Sequence, residues 1–600
     1  MMPGRSAPPT LSAGTVSKLT LAAILASGLG QNAARYGARV FGGQRLDHGV
    51  HSWWLTPLGD ALLVAPLMAV LLLLATRWLW FRRSDVVWVI ALTPLLMSAL
   101  AVGTRLHLFA ITLLGIGLAS RVGPFAARVI GDRGISRLAA GLGAATLLVA
   151  VPFAAWPAIQ ERRSESGLPP ARDGAPNVLV LLWDTVRAAS LDLYGNPKPT
   201  SPSLTEFARG GVVFDWAIST ASYTLPSHAS LFTGKWAHEL PTNWSVPLDD
   251  TTPTLAEVLA RAGYRTGGFS ANRIYVTREW GLGRGFAHFD EHRIGLQEAI
   301  RSSTLVRRLF ISEFVRRLTG FNSALATVTA TRNHDALLPW LERGQHTGKP
   351  YFAFVNFMDA HNPYLPPDSL ATRFGWFAAD ASREERWNAR KLARHEGPPP
   401  DAGQSLLPAY EAAIADLDSH VGRLLSELRQ RRLLENTMVI VLSDHGEEFG
   451  EHDQFGHGNS LYIQSLRVPL VVTFPGRVPE GKRVNRVVST RDVAATILDL
   501  VGLEGVLPGV SLRSAWESDT VTGAVALSEI RQDARLPERS RAREADVHSA
   551  VTSGLQVIRT GDSIEAFDLA RDPSGRLAAS GPSVDTALRA LPSPRVRPPR

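Results

Sequence analysis

Three apolar runs in the second half of the chain each end on polar residues that can bind a metal ion or react. They cover 177–183, 351–358 and 437–443, and lead into Asp184, into Asp359 with His361, and into Asp444 with His445. Continuous apolar runs of this length are typical of strands buried on both faces of a parallel α/β sheet. Because ligands bind beyond the carboxyl ends of such strands, we expect these ends to form one site.

The first 160 residues contain apolar stretches near 12–30, 55–80, 86–103, 105–120 and 138–157. A helix needs about 20 mostly apolar residues to cross a bilayer core of about 30 Å. We predict a membrane domain of about five spans over 1–160; the alternatives are a signal sequence at 12–30 and a buried soluble helical domain. Lys and Arg favour the segments that would face inward, which predicts a multi-pass protein of the cell membrane with an extracytoplasmic catalytic domain.

Composition divides the rest of the chain. We predict a polar linker at 161–175, a catalytic domain at 176–505, an antiparallel C-terminal subdomain at 506–579 and a disordered, Pro/Arg-rich tail at 580–600. The net charge of +8 is not gathered into a basic stripe with aromatic residues, so no nucleic-acid partner is expected. The absence of cysteine excludes disulfides, thiolate metal sites and thiol catalysis.

Asp184, Asp444 and His445 are the candidate metal ligands. A single carboxylate at a strand end is more often a helix cap, but here a second strand ends on a carboxylate and an imidazole. These donors suit Zn²⁺ or Mn²⁺ or, where oxygen ligands dominate, Ca²⁺ or Mg²⁺. The alternative for the charged segment at 444–457 is an ordinary solvated loop.

Thr224 is the candidate nucleophile. It lies just before Pro226, where a helix is predicted to begin, and a helix N-terminus favours an anionic ester. A threonine hydroxyl needs a base or a metal ion in order to attack. The alternative is that Thr224 only caps this helix.

Four more side chains are candidates for substrate binding: His228, Asn272, His361 and His457. His228 lies one turn after Thr224, and Asn272 could donate to a developing oxyanion. His361 could bind an oxyanion, take a second metal ion or act as a general acid. Each has a structural alternative, since isolated Asn and His residues are more often found in turns or in the core.

Several motifs in register resemble the sulfatase family of the alkaline phosphatase superfamily over roughly 176–575. They are the segments 177–187, 224–234, 280–290, 357–364, 442–452 and 566–573. The resemblance implies an alkaline-phosphatase-like α/β sandwich with a central, mostly parallel sheet and a small C-terminal antiparallel sheet. It also implies a divalent metal ion held by Asp184, Asp444 and His445 beside Thr224, which would contribute its hydroxyl as a further ligand.

The chain departs from this family at the nucleophile. Sulfatases carry Cys or Ser followed by x-Pro-x-Arg and convert the Cys or Ser to formylglycine, whereas these two positions hold Thr224 and His228. Threonine cannot give the aldehyde by that route. Related phosphodiesterases, and membrane enzymes similar to lipoteichoic acid synthase and phosphoethanolamine transferase, use an unmodified Thr, and the membrane enzymes also carry several N-terminal spans. The usual active-site lysines are not evident, so His228, His361 and His457 are expected to bind the anion instead.

Together these features predict a membrane-anchored, metal-dependent hydrolase or transferase that acts on phosphate esters through a covalent threonine intermediate. Its expected substrates are lipid-linked or envelope phosphodiesters, and membrane lipids are its expected surroundings. The alternatives are a sulfatase that works without formylglycine and a non-catalytic membrane scaffold or envelope-binding module.

Overall fold

The computed structural model describes residues 9–42, 49–102, 104, 106–291, 294–311, 329–377, 402–518, 525–536 and 540–592. The chain forms two compact units. One, the helical unit, comprises Met1–Arg162 and His292–Leu325; the other, the sheet unit, comprises Arg163–Glu291 and Ala326–Arg600. The chain therefore passes between the units three times.

The helical unit is built on long apolar helices. These are α1 (Ala13–Gly42), α2 (Ser52–Arg77), α3 (Ser84–Ala101), α4 (Leu108–Val129) and α5 (Asp132–Ser166). In the described part of the chain these five helices are long and apolar enough to cross a membrane, as the sequence predicted. Large apolar side chains such as Leu73, Phe109 and Leu148 point outward, which suits contact with lipid.

Two short helices from much later in the chain complete the helical unit. In chain order they are α9 (Leu296–Ser302) and α10 (Thr304–Ile311). The predicted boundaries place this segment in the catalytic domain. A short amphipathic pattern shows that one face is buried but does not show against which part of the chain it packs.

The sheet unit is built on one large sheet whose strands run in the order β11-β2-β10-β6-β1-β5-β3-β4, with β9 paired to β2. The strands are β1 (Asn177–Trp183), β2 (Gly211–Ile218), β3 (Arg265–Ser270), β4 (His288–Asp290), β5 (Tyr351–Phe357), β6 (Thr437–Leu442), β9 (Arg467–Val468), β10 (Leu470–Thr473) and β11 (Lys482–Ser489). All pairs are parallel except those of β9 and β10. The predicted, mostly parallel central sheet is confirmed.

Helices cover both faces of this sheet. They are α6 (Pro202–Ala208), α7 (Thr224–Thr233), α8 (Leu255–Arg261), α11 (Ala330–Gln345), α12 (Asp368–Arg373), α13 (Ala402–Gln430), α14 (Ile463–Leu466), α15 (Asp492–Leu500) and α16 (Arg513–Glu517). Alternate residues of β1 enter two cores: Val180 and Leu182 pack on the side of α7, α8 and α15, and Leu181 and Trp183 on the side of α6, α11 and α13. Full burial of such a side chain stabilises the fold by about 1.5–3 kcal/mol. The predicted α/β sandwich follows from this arrangement.

A small antiparallel sheet follows near the C-terminus, as predicted. Its strands are β12 (Ala526–Ile530), β13 (Val547–Thr552), β14 (Leu555–Thr560) and β15 (Ser563–Asp568); a separate hairpin pairs β7 (Glu448–Phe449) with β8 (Phe455–Gly456).

In two places the structure has a helix where the sequence predicted a linker or a disordered tail. Helix α5 continues to Ser166, inside the segment predicted as a linker, because its polar residues do not interrupt the helix. Helix α17 (Pro582–Ala590) lies in the predicted disordered tail. Its Ala587, together with Leu591, packs on Ala550 and Val557 of the small sheet, so a short apolar stripe orders this part of the tail.

Candidate active site

The carboxyl ends of the central strands bring the candidate metal ligands together. In the sheet Leu182 pairs with Leu442, so Asp184 and Asp444 leave neighbouring parallel strands at the same edge. Between them Thr185 has a left-handed backbone (φ 64°), and its N–H donates to Asp444 Oδ1 at 3.2 Å. A non-glycine residue in this conformation is uncommon and is often found at functional sites. The turn after β1 is thereby tied to the loop after β6.

In each of the two carboxylates, one oxygen accepts hydrogen bonds from the protein and the other accepts none from the described residues. Asp184 Oδ2 accepts from the side-chain amides of Asn272 at 3.0 Å and Asn356 at 3.3 Å. Asp444 Oδ1 accepts from the backbone N–H groups of Thr185 and His445, the latter at 2.9 Å. Asp184 Oδ1 and Asp444 Oδ2 are buried and accept no hydrogen bond from the described residues.

His445 presents an unprotonated nitrogen to the same point. Its Nδ1 donates to the carbonyl of Gly446 at 3.0 Å, which leaves the lone pair on Nε2. This Nε2 lies 3.3 Å from Thr224 Oγ1 and 3.4 Å from Asp444 Oδ2. Burial, followed by the charge of His457, lowers the pKa of His445 to about 3, so the ring is neutral at physiological pH.

These donors fit a divalent metal ion. One ligand atom from each of Asp184, Asp444 and His445 lies within 4.8 Å of the others. Burial, and then the charge of Asp184, raises the pKa of Asp444 well above its ordinary value. Two buried carboxylates side by side are costly unless a cation pairs with them. The two bare oxygens and the neutral Nε2 are the atoms that would hold it.

Thr224 lies beside this cluster as the first residue of α7, and its side chain is almost fully buried. Beneath it, His228 is fully buried and donates from Nδ1 to the Thr224 carbonyl at 2.8 Å. The His228 ring lies edge-on to Phe354, and burial lowers its pKa. The structure thus places His228 against the backbone of Thr224, and its contact with substrate remains a prediction.

His361 and His457, two further histidines predicted to bind substrate, lie beside the cluster. The His457 ring centroid lies 4.6 Å from that of His445 and 5.1 Å from that of His361. His457 Nδ1 donates to the fully buried Glu447 at 3.0 Å, and His361 Nδ1 donates to the Asn362 carbonyl at 2.7 Å. Burial, followed by the charge of His457, lowers the pKa of His361.

Asn272 is near the cluster but has a structural partner. Its amide nitrogen donates to Asp184, and its backbone N–H donates to Asn356 Oδ1 at 2.9 Å. Asn272 therefore orients a carboxylate, and its donation to a substrate oxyanion remains a prediction.

Sequence reasoning missed the residues that support the cluster. Asn356 is an amide within the apolar run of β5, and a polar residue in such a run is a signal that could have found it. Arg187 is buried and pairs with Glu451 at 2.7 Å, and its backbone N–H donates to the Tyr410 hydroxyl at 2.9 Å. That hydroxyl donates to the Thr185 carbonyl at 2.8 Å, so these residues hold the turn after β1.

Comparison with known proteins identifies the family to which the sheet unit is similar. The family model described as Sulfatase matches residues 176–503 of the chain. The arylsulfatase of Clostridium perfringens is 24% identical over 405 residues, which cover 58% of this chain and 79% of that protein. The uncharacterized sulfatase YidJ of Escherichia coli is 24% identical over 390 residues, which cover 60% and 74%.

Solved structures share the fold. The phosphonate monoester hydrolase of Agrobacterium radiobacter aligns with a TM-score of 0.52 at 21% identity and covers 67% of this chain and 91% of its own. The phosphonate monoester hydrolase of Silicibacter pomeroyi aligns with a TM-score of 0.52 at 22% identity, covering 69% and 93%.

Neutralising one carboxylate should empty the metal site. In Asp444→Asn the bare oxygen loses its charge, and we expect the metal bound per chain to fall by at least about tenfold, the loss typical of a disturbed metal shell. Elemental mass spectrometry after dialysis against limiting Zn²⁺ or Mn²⁺ measures it. Asp215→Asn, on β2 and paired with Arg483, is the control and should keep its metal. Equal metal content in both variants would contradict the assignment.

Glu448, a buried residue of β7, should make the stability of the sheet unit depend on pH. Burial raises its pKa from 4.5 to about 8, although Ser460 donates to it. Between these values the unfolded chain releases a proton that the folded chain keeps, so stability falls as pH rises. Glu448→Gln should flatten this dependence and be more stable than the wild type by roughly 4 kcal/mol at pH 8.

Calorimetric midpoints from pH 5 to 8 test this expectation. The exposed Glu480→Gln serves as the control and should follow the wild type. A Glu448→Gln curve parallel to that of the wild type would show that the buried carboxyl does not carry the effect.

Proposed function

Since the chain belongs to the sulfatase family, we propose that it is a membrane-anchored, metal-dependent enzyme that hydrolyses or transfers phosphate esters through a covalent bond to Thr224. Its membership makes it a sulfatase-like esterase enzyme of sulfate or phosphate esters. The choice of phosphate, the threonine intermediate and a lipid-linked or envelope substrate are our proposal.

The position of the Thr224 hydroxyl is the observation that carries the proposal. The hydroxyl is nearly buried and lies 3.3 Å from His445 Nε2, in the cluster that fits a cation. It begins α7, whose N-terminal end attracts anions. Threonine is not a precursor of formylglycine by the route that sulfatases use, so its own oxygen is the available nucleophile.

The residues of the site suit an in-line displacement. A divalent ion, when bound by Asp184, Asp444 and His445, would acidify the Thr224 hydroxyl and neutralise the charge that develops on the substrate oxygens. The Thr224 oxygen, its proton released to water, forms a bond to phosphorus with its own electron pair. The bond from phosphorus to the leaving alcohol breaks, and that pair stays on the leaving oxygen.

We assign to His457 the transfer of the proton that the leaving alcohol needs. Its Nδ1 is held by the buried Glu447, so Nε2 is the nitrogen left to exchange a proton with substrate. The imidazolium form donates from Nε2 to the leaving oxygen. The neutral ring then accepts a proton from the water or acceptor alcohol that attacks the phosphothreonine, and the Thr224 oxygen leaves.

The helical unit supports a substrate held at a membrane. Among the described residues, five helices are able to span a bilayer, which is more than a soluble ester requires. A lipid-linked or envelope phosphodiester would explain the anchor. A sulfatase that works without formylglycine is the second candidate, because the relatives from Clostridium perfringens and Escherichia coli are named as sulfatases.

Removing the hydroxyl tests both candidates. In Thr224→Ala we expect turnover of bis-p-nitrophenyl phosphate to fall by about a thousandfold or more, because the nucleophile is lost, whereas Thr224→Ser should retain part of it. The full-length protein, loaded with metal in detergent, is assayed with this diester, with p-nitrophenyl phosphate and with p-nitrophenyl sulfate. Turnover of the sulfate ester alone would favour the second candidate, and diester turnover untouched by Thr224→Ala would exclude a threonine intermediate.

The role of His457 predicts a dependence on the leaving group. Nitrophenolate departs without a proton, whereas an alkoxide does not, and general acid catalysis contributes about 10²–10⁴-fold. His457→Gln should therefore slow the hydrolysis of an alkyl phosphodiester far more than that of its nitrophenyl analogue. Glu447→Gln should give a smaller effect of the same kind. An equal loss on both esters would assign His457 to substrate binding instead.

A further inference from the structure

A segment of the chain that follows β4 of the sheet unit is built into the helical unit. It consists of α9 and α10, residues 296–311, which we call the docking segment. Its middle part, 298–306, is buried, and 307–310 are half-buried. Burial of charged residues such as Glu298 and Arg301 in a unit of long apolar helices indicates a specific contact, since unpaired charges there are costly.

Polar side chains of α1 and α2 bind the junction between the two short helices. Ser303 Oγ donates to Asp60 Oδ1 at 2.5 Å, and Gln31 Nε2 donates to Asp60 Oδ2 at 2.8 Å. The backbone N–H of Thr304 donates to Gln31 Oε1 at 2.9 Å. The free N–H groups that begin a helix need partners, and here a side chain of the helical unit supplies one of them.

The helices also approach each other closely. A Cβ added at Gly59 of α2 would lie 2.1 Å from the backbone oxygen of Ala299, so only glycine permits this contact. Ile300 and Val306 pack together with Leu63 beside them. The guanidinium of Arg308 donates to the carbonyl oxygens of Ala101, Thr104 and Leu106, at and just beyond the end of α3.

We propose that the docking segment and the surface formed by Gln31, Gly59 and Asp60 are a built-in interface that makes the enzyme favour esters anchored in its own bilayer. The proposal rests on the proposed function and adds to it a device that selects the substrate. β4 ends at Asp290 and α9 begins at Leu296, so few residues separate the sheet unit from the docked helices.

The physical basis is effective concentration. A catalytic unit that is joined to a membrane unit by two chain connections instead of one explores a smaller volume, so it meets substrates of the same membrane more often. A water-soluble ester diffuses to the site in either case. Loss of docking should therefore lower the turnover of membrane-anchored esters more than the turnover of water-soluble esters.

The test replaces Gly59 by alanine in the full-length protein reconstituted into vesicles of phosphatidylglycerol, a phosphodiester phospholipid. Gly117→Ala on α4, where an added Cβ would meet nothing within 4 Å, is the matched control. Hydrogen exchange of residues 296–311 should become about tenfold faster or more in Gly59→Ala, because the contact opens locally. Turnover of the vesicle lipid should fall by about fivefold or more, while turnover of bis-p-nitrophenyl phosphate changes less than about twofold.

Ser303→Ala, which removes the donor to Asp60, is the second variant and covers the case in which Gly59→Ala does not fold. Faster exchange with unchanged lipid turnover, or an equal loss on the lipid and the soluble diester, would overturn the proposal. If the wild type turned over p-nitrophenyl sulfate but neither phosphodiester, the proposed function would fail instead; sulfated lipid vesicles would then replace the phospholipid in the same comparison.

Discussion

Two buried carboxylates at one edge of a sheet impose the arrangement of the rest of the site. Asp184 and Asp444 repel each other in a region from which water is excluded, and the raised pKa of Asp444 reflects first its burial and then this repulsion. A cation is the natural partner for such a pair. The surrounding fold occupies one oxygen of each carboxylate and leaves the other bare. The strand register and the left-handed turn at Thr185 serve this single requirement.

A second layer of buried contacts keeps the loops around the carboxylates in place. The Arg187 guanidinium donates to Glu451 and to the carbonyl of Glu447, whose side chain holds His457. A buried ion pair contributes little net stability because both charges lose water, so its value lies in orientation. Through it the turn after β1 is connected to the histidine that we expect to transfer the proton. A change at Arg187 would thus act on the reaction without touching the substrate.

The sequence alone predicts the structure well where one physical rule decides it. Buried parallel strands must be apolar along their whole length, so the polar residues at their ends stand out, and the register brings Asp184 and Asp444 together as predicted. The sequence does not predict the role of a side chain when that role depends on a hydrogen-bond partner from a distant part of the chain. It predicts Asn272 as a donor to substrate, whereas the bond from Asn272 to Asp184 depends on the distant pairing of β3 and β5. The predicted boundaries place the docking segment in the catalytic domain, whereas the structure groups it with the helical unit. An amphipathic stripe does not specify the surface that covers it.

The charge of the site argues for a particular class of ester. Burial lowers the pKa of His228, His361 and His445, so these rings are neutral, and Arg187 is already paired with Glu451. A divalent ion between two carboxylates leaves no net charge, which leaves the end of α7 and hydrogen bonds to stabilise the substrate. An ester with one negative charge, a phosphodiester or a sulfate ester, meets this condition better than a phosphate monoester with two. The presence of His228 where the sulfatase motif has arginine acts in the same direction, since it removes a fixed positive charge beside Thr224. We therefore expect this site to select its substrate by charge more than by the choice between phosphorus and sulfur.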